Sequence, residues 1–146
     1  MAPVDGRRIE ELLDGPHQAV LSVGRLEKGP LAVPMSYLFA GDHFSMGTSP
    51  ESWHGRLMQR TGRATLTVQF EDCDGRSVHQ WYVTAEGPIG FTDTEPGPLV
   101  RAILAKDRGE ENADEWTWGD AQPDVRVAIL EPERLSGFEF RESLDH

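Results

Sequence analysis

The chain has 146 residues, with 25 Asp and Glu against 14 Lys and Arg and a formal net charge of -11. That length suits one domain around a single core, and the acidic balance argues against nucleic acid as the main partner, because phosphate backbones are bound through clustered cations. No apolar run approaches a membrane span, the N-terminus lacks the layout of a signal peptide, and the lone Cys73 makes neither an internal disulfide nor a cysteine metal cage. The expectation is a cytoplasmic protein without a membrane partner.

In chain order, residues 7–13 place Ile9, Leu12 and Leu13 at helical spacing, with Asp5 as a cap and Gly15-Pro16 as a stop. Residues 18–25 read as a strand ending before the turn Glu27-Lys28-Gly29. Residues 31–39 read as a second strand broken by Pro34, a residue that belongs at an edge, a bulge or a site where a ligand approaches the backbone. Gly41-Asp42 turns the chain, and residues 43–48 return it as a third strand.

The rest of the chain is organised around the stretch from His43 to Phe70. Ser49 stands at the expected N-cap of a short helix and Pro50 at its first helical position, and Gly62 stands at its C-cap. Thr48, Ser49 and Ser52 surround that helix start with hydroxyls, an arrangement suited to an anion as well as to ordinary capping. Residues 64–70 then alternate, with Ala64, Leu66, Val68 and Phe70 on one face. Asp74-Gly75 signals a hairpin into a strand over residues 77–85.

Further on, Gly87 and Gly90 flank a short piece at Pro88-Ile89, and residues 99–106 form a helix entered through Pro96-Gly97-Pro98. Residues 108–123 are acidic and irregular and hold Trp116 and Trp118; residues 125–130 and 136–140 are strands. Mostly antiparallel strands with short helices predict a small barrel in one domain spanning residues 1–146.

This ordered set resembles the flavin-binding split-barrel family that includes pyridoxamine 5'-phosphate oxidase and the flavin- or deazaflavin-dependent reductases. QAVLSVG is similar to the family's first strand. GPLAVPMSYLFAGDHFSMGT resembles its proline-bearing strand, tight turn and return strand. HGRLMQRTGRATLTV looks like its helix and next strand entry, and WYVTAEG and VAILEPERLSGFEF resemble its later strands and the turn between them. The resemblance implies a six-stranded antiparallel Greek-key split β-barrel, mainly β with short helices, that forms a homodimer with cofactor at the subunit interface. It implies flavin mononucleotide (FMN) as cofactor, with the deazaflavin F420 as the alternative. The flavin ring would lie along Val33, Pro34, Met35 and Ser36. The phosphate-binding turn would fall on Thr48, Ser49, Ser52, Trp53, His54 and Arg56. The chemistry would be hydride transfer to a small-molecule substrate, carried by the cofactor and with no catalytic side chain named.

One departure bears on the site. Where the family writes Ser-Arg-Lys, this chain has Ser52-Trp53-His54, which removes two formal cations from an anion site. A protonated His54 or a reoriented Arg56 would recover part of the attraction. The departure keeps open a non-catalytic protein that holds a flavin, haem or other small molecule, and a purely structural dimer. The remaining histidines, His17, His43, His79 and His146, show no metal-ligand spacing, so no metal site is expected. Trp116 and Trp118 are candidates to cover a pocket or a dimer seam.

Overall fold

The structure is a computed structural model that describes residues 1–114 and 124–144. Trp116 and Trp118 lie outside the described residues. In chain order the elements are β1 (Ala2–Pro3), α1 (Gly6–Leu13), β2 (Ala19–Arg25), β3 (Lys28–Met35), β4 (Leu38–Phe39) and β5 (Phe44–Thr48). Then come α2 (Trp53–Thr61), β6 (Arg63–Cys73), β7 (Ser77–Phe91), α3 (Pro96–Arg108), a 3-10 turn (Glu110–Asn112), β8 (Arg126–Leu130) and β9 (Arg134–Ser143).

All strand pairs are antiparallel, and the hydrogen-bonded path runs β3-β2-β6-β7-β8-β5-β4. The ends of this path, β3 and β4, are consecutive in the chain and separated only by Ser36 and Tyr37, so the sheet curls back on itself into a barrel. β9 adds to the outer side of β7, and β1 adds to β9. The sheet therefore has nine strands among the described residues, where the sequence resemblance implied six. Two of them, β1 and β4, are two residues long.

Strand alternation places Leu21, Val23, Leu66, Val68, Val83 and Ala85 inside the barrel at 0–1% exposure. Burying each Leu or Val contributes about 1.5–3 kcal/mol relative to leaving it in water. The predicted alternation of residues 64–70 holds, with Phe70 partly buried at the rim. Asp5 caps α1 by accepting from the Arg8 N–H at 2.9 Å. Gly62 ends α2 at φ 68°, donating to the Met58 carbonyl. At the predicted hairpin the Asp74 carboxylate accepts from the N–H groups of Arg76 and Ser77, and Gly75 takes φ 84°.

Three expectations are corrected. The break in the second strand falls after Pro34, at Ser36-Tyr37, because among the described residues β3 is an edge strand paired only to β2 and an edge tolerates proline. Gly87 does not interrupt β7, which runs unbroken for 15 residues and passes from β6 and β9 to β8. A Cβ at Gly87 would stand 2.1 Å from the Glu131 carbonyl oxygen, so glycine there permits two backbones to touch where the sheet turns its corner. The third correction concerns the start of α2, where Ser52 rather than Ser49 is the cap. Among the described residues no helix is long and apolar enough to cross a membrane.

Candidate functional site

The Ser36-Tyr37 corner is held from inside. Tyr37 is fully buried, donates its hydroxyl to the Leu13 carbonyl at 2.8 Å, and carries Lys106 Nζ 4.1 Å from its ring centroid. Burial pushes the Tyr37 phenol pKa up, so it remains a donor across the physiological range. Lys106, with its side chain 8% exposed, also donates to the carbonyls of Gly15 and His17 and pairs with Asp107 at 2.7 Å. This anchor sets the end of β3. There Met35 is buried, Val33 packs partly against the core, Ser36 is half-buried, and Pro34 faces outward. The free edge of β3 is thus presented with one backbone donor removed at Pro34.

At the other predicted cluster, α2 begins at Trp53 with Ser52 as its N-cap, and Pro50 lies in the preceding turn rather than at the first helical position. The reason is competition for the Ser49 hydroxyl. It donates to Asp124 Oδ2 at 2.8 Å and accepts from the Glu51 N–H, so it is not available to cap. Ser52 Oγ instead accepts from the Gly55 N–H at 3.0 Å and gives its proton to the Ser49 carbonyl at 2.7 Å. Gly55 is required by this turn, because a Cβ there would stand 2.1 Å from the Ser49 carbonyl oxygen.

His54 folds over the same turn. Its Nε2 lies 2.6 Å from the buried Thr48 Oγ1 and 3.2 Å from Ser52 Oγ. Because the Ser52 proton is already given away, the tautomer that satisfies both contacts carries its proton on Nε2. Burial lowers the His54 pKa, so the ring is neutral near pH 7.

The structure therefore brings Thr48, Ser49, Ser52 and His54 together and adds Asp124, which sequence reasoning missed. Asp124 lies 75 positions beyond Ser49, and no local pattern marks it. The Ser49 hydroxyl holds the Asp124 carboxyl below the usual carboxylate range, with a smaller pull from the charge of Arg126.

Trp53 and Arg56 leave the cap and turn outward. With Glu51, Leu57 and Arg60 they line a surface groove of about 360 Å3, in which Trp53 is 79% exposed and Arg56 pairs with Glu51 at 3.6 Å. Among the described residues no hydrogen bond or ion pair joins the residues of β3 to the start of α2.

No protein-family model and no curated protein matches the sequence. Solved structures match by fold. An FAD-binding protein from Mesorhizobium loti superposes with a TM-score of 0.67 at 17% identity, over 94% of this chain and 96% of its own. A protein assigned as a pyridoxamine 5'-phosphate oxidase from Listeria innocua does so with a TM-score of 0.65 at 16% identity, over 97% and 98% of the two chains. An F420 reductase matches with a TM-score of 0.62 at 18% identity, over 86% and 94%. Identities this low establish shared architecture rather than shared chemistry. The chain has the fold of the pyridoxamine 5'-phosphate oxidase-like split barrels that its sequence resembles.

Proposed function

We propose that this chain is a homodimeric split-barrel oxidoreductase that binds a cofactor of the flavin class, or alternatively the deazaflavin F420, and passes hydride to a small molecule. The observation that carries the reading is the fold match, over nearly the whole chain, to an FAD-binding protein and an F420 reductase. The residues at β3 fit the ring end of such a group: an outward proline on a free strand edge, braced from behind by Tyr37. The residues at α2 do not fit a phosphate end, since among the described residues no cation is bonded to the cap and a carboxylate is. A bound cofactor of this class would supply the hydride chemistry, while Val33, Pro34 and Ser36 would orient its ring and shape the substrate space.

The homodimer is supported by the outer face of the sheet. Pro34, Val20, Thr67, Thr84 and Ser136 stand side by side across five strands, without a charge in the row, and Val20 is 44% exposed. Beside that row Tyr82 stacks on Phe138 at 5.1 Å. An uncharged row of this kind, flanked by an aromatic pair, is suited to a second copy.

An absorbance spectrum of the purified protein, with mass spectrometry of whatever denaturation releases, tests the reading directly. A released flavin or deazaflavin supports it. A colourless protein whose melting temperature no flavin or F420 raises overturns it, since a ligand at 100 times its dissociation constant adds about 2.7 kcal/mol. The absence of a cation bonded to the cap among the described residues also favours a second reading, a binding protein without turnover. That reading predicts a bound flavin that neither reduced nicotinamide nor reduced F420 reduces.

A further inference from the structure

Charge at the start of α2 runs against the anion site its hydroxyls suggest. Thr48, Ser49 and Ser52 are all engaged within the protein, and the imidazole over them is neutral. Among the described residues the charged group bonded to the cluster is an anion, Asp124, 2.8 Å from Ser49 Oγ. The cations that α2 carries nearby, Arg56 and Arg60, line the groove beside Trp53, and Arg56 is paired there with Glu51. Arg126, beyond Asp124, donates to the Val125 carbonyl. A phosphate monoester brought to this helix start meets the Asp124 carboxylate and, among the described residues, no cation bonded to the cap. Two like charges a few ångströms apart near a protein surface repel by an amount comparable to the whole attraction of one helix terminus.

We infer that Asp124 is a specificity-determining residue that turns this end of the site away from phosphate monoesters and toward an uncharged, hydroxyl-bearing ligand end. The inference rests on the flavin-type reading for its ligand class. The relevant contrast is between riboflavin and FMN, which share a ring and a hydroxylated side chain and differ by one terminal phosphate. Neutral acceptors and donors suit a hydroxyl chain, because Thr48, Ser52 and His54 re-pair with hydroxyls at little electrostatic cost.

The experiment is a titration of riboflavin and of FMN, followed by flavin fluorescence, into the natural protein, Asp124→Asn and His54→Lys. The natural protein is expected to bind riboflavin at least as tightly as FMN. Asp124→Asn should move the ratio of affinities about tenfold toward FMN, and His54→Lys should move it the same way, both less so at high salt. A tenfold preference of the natural protein for FMN, or a ratio that Asp124→Asn leaves unchanged, overturns the inference. If neither flavin binds any form, the flavin reading fails, and inorganic phosphate decides the inference independently, read by NMR at the His54 ring. A saturable shift in Asp124→Asn and none in the natural protein sustains it; a saturable shift in the natural protein, or none in either, overturns it.

Discussion

Two polar clusters in this molecule treat charge in opposite ways. Where α1 meets β9, the half-buried Glu139 carboxylate accepts from Arg8 Nε and an Arg8 terminal nitrogen at 3.0 and 2.7 Å, lies 2.7 Å from His79 Nε2, and has Arg141 at 3.5 Å. These partners, Arg8 first, hold the Glu139 pKa down to about 2. At the start of α2, hydroxyls and a neutral imidazole satisfy one another, and the charge attached to them, Asp124, has no cation bonded to it among the described residues. The first cluster is neutralised on the spot and ties a helix to the sheet. The second is satisfied in hydrogen bonds but unbalanced in charge, which is the condition in which a ligand's own charge decides whether it binds.

Substitutions can break or sharpen that contrast. The largest effect is expected from Glu139→Gln, which leaves Arg8 with Glu11 as its remaining carboxylate partner and should cost about 2 kcal/mol in denaturant unfolding at pH 7. Because the folded Glu139 pKa is depressed, its contribution is complete above about pH 4.5 and drains away as pH falls toward 2. The natural protein should therefore lose stability across that window faster than the variant; parallel curves would mean the network contributes little. An effect of the same order is expected from Gly55→Ala, whose Cβ must displace the Ser49 carbonyl at a cost of about 2 kcal/mol. A melting temperature equal to that of the natural protein would show the turn at α2 to be looser than described.

Ser52→Ala should cost about 1 kcal/mol as a lost N-cap, whereas Ser49→Ala should cost less, which separates the two serines by thermal unfolding. The smallest effect on stability is expected at Asp124. Asp124→Asn should stay within about 0.5 kcal/mol of the natural protein, so any change in ligand preference there reports charge rather than folding. His54 adds a pH signature. Its folded pKa is lowered by burial, so stability should decline as pH drops below about 6.5, and His54→Gln should flatten that decline.

Much of the architecture was legible from short-range patterns. The Asp5 cap, the Gly62 cap, the Asp74-Gly75 hairpin and the alternation through Leu66 and Val68 each depend on chemistry within a few residues. The start of α2 was misplaced by three residues because Ser49 and Ser52 are equally good caps in isolation, and a carboxylate far along the chain took the Ser49 hydroxyl. β7 was read as ending too early because glycine weakens a strand locally, while here it lets Gly87 meet the Glu131 carbonyl. The candidate hydroxyls were visible, and their commitments to one another were not.

The sequence alone determined that a barrel of antiparallel strands would form, since period-two apolar spacing and turn residues act locally and admit few closed arrangements. It also determined that positions 53 and 54 at the start of α2 would carry Trp and His rather than two formal cations. Only the tertiary structure decided where that cap begins, which side of α2 its arginines face, and that Asp124 stands at its rim. Those outcomes depend on groups far apart in sequence sharing one hydrogen bond or one charge, and such pairing exists only once the sheet has closed.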